Sequence, residues 1–319
     1  MKSDDRLPHV AELREDSCGW GFFLCASKEI RTGRNGGDFI SLTLQDNSGQ
    51  ITARIFDDVD RLREEFTAGE FVKIQGRANL FNGRLQFIVE RIRRVSPDQD
   101  RAAGFDEADC IPCAARPIEE MWTELQAAIA GVQDRFVRQL LERVTREQEE
   151  RLRIWPAAVT VHHAYRGGFL EHVLKIAEVG RTLCGFYNAN ADLVVAGAIL
   201  HDIGKLQELE YDVTARYSRD GNLIGHITLG AMLVRDAARG IPEFPPALLT
   251  QLEHLIVSHH GSREFGSPIE PMTIEAFILS MADDLDAKIN QIRRAVRDDA
   301  TDGEFTAYHQ RLGRVLWKG

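Results

Sequence analysis

The chain has 319 residues, with 39 Lys and Arg against 49 Asp and Glu, a formal net charge of −10. Hydrophobic content of 44% beside 28% charged residues is globular composition, which excludes disordered and fibrous classes, and the length suits two domains. The longest apolar run, Leu193 to Leu200, is far shorter than the roughly 20 residues of a membrane span, so no membrane partner is expected. The opening MKSDDRLPHV lacks the apolar core of a secretory signal, and five cysteines point to a reducing, cytoplasmic setting rather than a disulfide framework. Taken whole, the acidity counts against a polyanion partner, because phosphate binding draws its affinity from Lys and Arg.

From Gly21 to Val95 short alternating segments are separated by turns. Phe22-Phe23-Leu24 starts the first strand, and Phe39 to Leu44 forms the second. Asp46-Asn47-Ser48-Gly49 turns the chain into Ile51 to Phe56. A helical patch, Val59 to Phe66, follows, and then Phe71 to Ile74 and Leu85 to Val89 flank an Asn82-Gly83 hairpin turn. Three strands, a helix and two strands within about 75 residues is the order of an OB-fold. Phe39, Phe56 and Phe81, interleaved with Arg54, Arg77 and Arg84, would suit stacking of unpaired bases, although barrel filling is the commoner fate of any one of these Phe residues.

Residues 98–116 mix Pro, Gly, Asp and Ala without periodicity and read as a linker. Cys110-x-x-Cys113 has no second pair nearby, which favours a structural role over zinc. From Ile118 to Leu152, apolar residues at helical spacing (Trp122, Leu125, Ile129, Phe136, Leu140, Val144) predict one or two helices. The expected plan is a barrel over 1–97, a linker and helical connector over 98–153, and an all-α domain over 154–319. The connector also offers a surface for a homo-oligomer.

Eight of the ten histidines lie between His162 and His260. His172 sits in a helix that follows Gly167-Gly168. His201-Asp202 ends the apolar stretch Leu193 to Leu200, His226 opens another helix, and His259-His260-Gly261 closes the stretch from Leu252. Asp283-Asp284 lies within a helix from Ile274 to Ile292. Burying so many imidazoles without metals would require a partner for each ring nitrogen, whereas divalent ions turn imidazoles and carboxylates into ligands. Neighbouring helical residues point about 100° apart, so Asp202 can bridge two metals while His201 serves one.

The ordered set, with His162-His163-Ala164-Tyr165-Arg166-Gly167-Gly168, Leu200-His201-Asp202-Ile203-Gly204-Lys205, Gly225-His226-Ile227, Ser258-His259-His260-Gly261 and Ala282-Asp283-Asp284-Leu285-Asp286-Ala287-Lys288, resembles the HD superfamily of metal-dependent phosphohydrolases. Within it, the chain is similar to the YhaM-type 3′-to-5′ exoribonucleases from about Gly21 to Trp317. That resemblance implies an OB-fold followed by an HD domain. His172, His201, Asp202 and Asp283 match the HD quartet, and His226, His259 and His260 match the further ligands of binuclear members, with Asp202 bridging. Asp283 over Asp284 rests on the motif alone; on a helical wheel Asp284 falls nearer the Phe277/Met281 side, so periodicity does not support that choice and Asp284 stays an alternative. Lys205 would neutralise a substrate phosphate, and His162 and His163 match a region that touches substrate. His254 has no matching role.

The activity implied is hydrolysis of single-stranded RNA, with single-stranded DNA as a second substrate, to nucleoside monophosphates by metal-activated water. Two divalent ions are implied, manganese first, with Fe, Co, Ni, Mg or Zn as alternatives. The competing readings are an HD hydrolase of small nucleotides with a regulatory barrel, and a non-catalytic nucleic-acid-binding protein. Residues 1–97 hold 15 Lys and Arg against 15 Asp and Glu, so the whole −10 falls in residues 98–319, and the barrel, with Arg91, Arg93 and Arg94 at its end, is neutral.

Overall fold

A computed structural model describes residues 5–33, 36–114, 116–157, 165–211, 215–297, 299 and 301–319. The chain divides into two compact units, residues 1–113 and residues 114–211 with 215–319.

The first unit is a closed barrel of β1 (Cys18–Thr32), β2 (Asp38–Asp46), β3 (Gly49–Ile55), β4 (Phe71–Phe81) and β5 (Arg84–Arg94), ordered β1-β2-β3-β5-β4, with the short helix α1 (Val59–Leu62) between β3 and β4. All neighbours run antiparallel except β3 and β5, whose parallel pairing of Ala53 with Phe87 and Arg54 with Ile88 completes the closure. Alternation sends Ile40, Leu42, Leu44, Val72, Ile74 and Phe87 inward, and Phe66 closes the core. Asn82 and Gly83 both take positive φ (51° and 74°), the conformation a two-residue hairpin between right-twisted strands requires. Strand β1 is longer than its apolar start suggests. Its second half, Ser27 to Thr32, is polar apart from the exposed Ile30, yet pairs with β2 throughout.

The stretch expected to be a linker is folded. It forms α2 (Pro97–Asp100) and α3 (Glu107–Cys110), and Phe105 and Cys110 are buried against Phe22 and Leu24 of β1. Asp100 fastens the turn, accepting from both terminal nitrogens of Arg93 at 2.6 and 2.7 Å and from the Ser96 amide at 2.9 Å. Two isolated apolar residues in a polar run carry no periodicity, which is why sequence patterning misses this packing.

The second unit contains α4 (Ile118–Ala130), α5 (Arg135–Glu147), α6 (Glu149–Ile154), α7 (Gly168–Tyr187), α8 (Ala191–Leu200), α9 (Lys205–Glu208), α10 (Arg219–Ile224), α11 (His226–Arg239), α12 (Pro246–Ser258) and α13 (Ile274–Arg297). A two-stranded hairpin, β6 (Leu209–Tyr211) with β7 (Ala215–Tyr217), lies between α9 and α10. Helix α8 is apolar all round and buried from Leu193 to Leu200, as expected of a central helix packed on every side. Gly197 permits this packing, since Leu279 of α13 and Leu255 of α12 approach its α-carbon too closely for a side chain. The apolar positions of α4 and α5, including Trp122, Leu125, Ile129, Leu140 and Val144, belong to the same core. Among the described residues, no helix is long and apolar enough to cross a membrane.

Candidate metal centre

Five helices bring their ends or faces to one point. His172 lies in the first turns of α7. His201 and Asp202 directly follow α8, His226 is the first residue of α11, His259 and His260 directly follow α12, and Asp283 lies in α13. The turn after Asp202 is anchored from α6 and the residue after it: Trp155 Nε1 donates to the Lys205 carbonyl (3.0 Å) and Arg151 to the Leu206 carbonyl (3.0 Å). Gly204 allows α11 to sit against this turn, because a β-carbon there would collide with the His226 carbonyl.

Asp202 is central and almost wholly buried. Its Oδ2 lies 3.4 Å from His201 Nε2, 3.7 Å from His172 Nε2 and 2.6 Å from Lys205 Nζ. Its Oδ1 lies 3.4 Å from His226 Nε2 and 3.6 Å from His259 Nε2. The two oxygens therefore face two groups. His172, His201 and Asp283 form one, and His226, His259 and His260 the other; within each, the donor atoms lie within 4.8 Å of one another. Asp283 Oδ1 is 3.4 Å from His172 Nε2, whereas Asp284 turns outward to pair with Lys288 at 2.6 Å.

The histidine tautomers follow from their partners. Nδ1 of His201, His259 and His260 faces the carbonyls of Ala198 (2.9 Å), Ile256 (2.7 Å) and Phe265 (2.9 Å), which only accept, so these nitrogens carry hydrogen. His172 Nδ1 faces Asp286 Oδ2 at 2.9 Å and His226 Nδ1 faces Glu208 Oε1 at 3.0 Å. With Nδ1 engaged, Nε2 of His172, His201, His226 and His259 is the atom that faces Asp202, and it offers a lone pair wherever the ring is neutral. Among the described residues, Nε2 of His201, His226 and His259 and Oδ1 of Asp202 are buried with no hydrogen-bond partner. Buried polar atoms left so cost about 1–3 kcal/mol each, and divalent cations would satisfy all of them. The donor set of imidazoles and carboxylates fits such ions, transition metals above all.

The electrostatics separate His172 from the imidazoles of the second group. Burial opposes charge on His172, but hydrogen bonding to Asp202 and Asp286 and the nearby Asp283 outweigh it and push its pKa up to about 9. Burial, with the neighbouring His201, holds His259 well below the usual imidazole range, and His260 is lowered chiefly by burial. Burial would raise the Asp202 carboxyl, but Lys205 and the surrounding imidazoles hold it well below the usual range. Lys205 is raised in turn, because Asp202 overcomes the desolvation that would lower it.

Asp286 and Glu208 are site residues that motif reading passes over. Asp286 lies one turn beyond Asp283 on the same helix, a weak signal. Glu208 also accepts from the His226 amide (2.9 Å), and nothing local in the sequence marks it. His162 and His163 lie outside the described residues. His254 stands apart from the centre, accepting from the Met272 amide (2.9 Å). In the barrel, Phe39 and Phe56 lie 5.7 Å apart by ring centroids, with the Arg54 guanidinium 5.1 Å over the Phe39 ring. Phe56 and Phe81 are 54% and 55% exposed, so neither fills the barrel. Phe81 and Arg84 pair across the β4–β5 turn, and Arg77 is exposed on β4. Of the three arginines at the barrel's end, Arg93 is bound to Asp100 and Arg94 to Glu70. Cys110 is buried beneath β1, and burial pushes its thiol up to about 12; it belongs to neither donor group.

Two family models match the chain, an OB-fold nucleic acid binding domain over residues 26–95 and an HD domain over residues 169–288. The chain is 32% identical to the 3′-5′ exoribonuclease YhaM of Oceanobacillus iheyensis over 287 residues, covering 90% of this chain and 89% of that protein. It is 32% identical to the protein of the same name from Bacillus subtilis over 286 residues (89% of each) and 33% identical to that of a Geobacillus species over 274 residues (85% and 82%).

Proposed function

The chain belongs to the YhaM family of 3′-5′ exoribonucleases, and on that premise we propose how its residues divide the work. It is a metal-dependent 3′-5′ exonuclease that hydrolyses single-stranded RNA to nucleoside monophosphates. The observation that carries the site assignment is the convergence of four Nε2 atoms, those of His172, His201, His226 and His259, each ring fixed through Nδ1, on the two oxygens of Asp202. We assign His172, His201 and Asp283 to one cation and His226, His259 and His260 to a second, with Asp202 shared. Divalent ions held there supply Lewis-acid chemistry, activating water and polarising a phosphodiester.

The remaining residues position and neutralise. Lys205 presents a buried ammonium beside Asp202, where it can meet a non-bridging oxygen of the terminal phosphate and offset charge that builds there. Asp286 and Glu208 hold His172 and His226 in the tautomer and orientation that aim Nε2 inward. The Phe39–Phe56 pair with Arg54, together with Phe81 and Arg84 on the hairpin, forms the surface that holds unpaired bases by stacking. Stacking reads the base face and not the 2′-hydroxyl, so single-stranded DNA should bind the same surface. The deciding experiment is Asp202→Ala assayed for both cleavage and binding of a labelled oligoribonucleotide. Cleavage should vanish while binding persists; unaltered turnover would sink the assignment.

A further inference from the structure

Helix α13 turns one face to the core, through Ala276, Leu279, Ala282 and Asp286. Its opposite face is apolar as well. Ile274, Phe277, Met281, Leu285, Ile289 and Ile292 are each 39% to 58% exposed. At 3.6 residues per turn these six lie in a stripe about 120° wide and about 27 Å long. A continuous stripe of this kind marks a contact surface, unlike scattered exposed residues.

The intervals along the stripe are 3, 4, 4, 4 and 3 residues, the same from either end. A helix with that pattern is complementary to an antiparallel copy of itself. With the two-fold axis at residue 283, Ile274 faces the partner's Ile292, Phe277 the partner's Ile289, and Met281 the partner's Leu285. The charges agree with that direction. Glu275 flanks the first half of the stripe and Arg293 the second, on the same side, while Lys288 pairs with Asp284 of its own helix. An antiparallel pair sets Glu275 of each helix near the partner's Arg293, while a parallel pair would set like against like.

We propose that α13 is a self-association surface on which two copies of this chain pair antiparallel about a two-fold axis. The interface is isologous, each residue meeting its opposite number twice. A nucleic-acid strand would find no row of cations on this face.

Sedimentation of the full chain tests the proposal. The wild type should be a dimer or an even multiple, and Phe277→Glu/Ile289→Glu should halve its mass with an unchanged far-ultraviolet circular dichroism spectrum. Should that variant fail to fold, crosslinking decides. On mild oxidation, Ile274→Cys/Ile292→Cys should give a covalent dimer beyond the wild-type background, and neither single substitution should. A monomeric wild type, the result if this face instead receives a different protein, overturns the proposal. So does a dimer that survives the two glutamates, or crosslinking by Ile274→Cys alone as efficient as by the pair, which would indicate parallel helices.

Discussion

The ammonium of Lys205 lies 2.6 Å from Asp202 Oδ2, one turn beyond it, while the other carboxylate oxygen faces His226 and His259. One carboxylate thus lies between imidazoles on both sides and a buried ammonium at once. On the proposed assignment, replacing Lys205 with Ala removes the positive charge that would meet the reacting phosphate. We expect kcat on a short oligoribonucleotide to fall about 100-fold or more, the loss typical for one preorganised charge-stabilising group. Metal content, measured on the same preparation, should be retained; loss of metal would mean that Lys205 only supports the fold of the site.

Asp286 and Glu208 act through histidines. Asp286→Asn and Glu208→Gln should each weaken metal affinity about 10- to 100-fold, as second-layer carboxylates elsewhere do. Calorimetric titration of the metal-free protein measures this directly. Equal affinity in both variants would show that the backbone alone orients the rings.

In the barrel, Asp100 is buried against Arg93 and the Ser96 amide, and those bonds outweigh desolvation and hold its carboxyl down at about 2 from an ordinary 3.8. A depressed carboxyl stabilises the fold above its unfolded value and ceases to as pH falls from about 3.8 through about 2. The shift corresponds to about 2 kcal/mol at neutral pH. Asp100→Asn should lower the urea midpoint of the barrel transition, followed by Trp20 fluorescence, at pH 7, and the difference should close as pH approaches 2. A difference independent of pH would indicate lost packing instead of lost charge.

Phe56→Ala should weaken binding of single-stranded oligonucleotides by about 1–3 kcal/mol, the value of one stacked base, when measured by anisotropy in an Asp202→Ala background. Hydrolysis of a dinucleotide, which offers no further bases to stack, should be affected less. Binding unchanged by this substitution would remove the Phe39–Phe56 surface from the strand path.

Much of this is legible before any coordinates. Alternation and the Asn82-Gly83 turn mark the barrel, and the spacing of His172, His201-Asp202, His226 and His259-His260 marks the centre. What escapes depends on tertiary partners. A helical wheel puts Asp284 nearer Phe277 and Met281, but that side of the helix is exposed, and Asp284 pairs outward with Lys288 while Asp283 faces His172. Glu208 acquires its role because Gly204 lets α11 close on the turn. Arg93 and Arg94 look like strand-binding charge in the sequence, yet both are engaged by carboxylates within the barrel unit. The net charge of −10 is similarly misleading as a whole, since it falls outside the neutral barrel and part of it surrounds a centre built for cations.

Metal content combined with a product ladder decides whether two cations at Asp202 perform the hydrolysis. The protein is stripped with chelator, reloaded separately with Mn, Fe, Co, Ni, Zn or Mg, and given RNA labelled at its 5′ end. The stripped protein should not cleave, the reactivated one should hold two equivalents of metal per chain, and its products should form a ladder shortening one nucleotide at a time from the 3′ end. Undiminished cleavage without metal, or internal cuts in place of a ladder, would contradict that assignment.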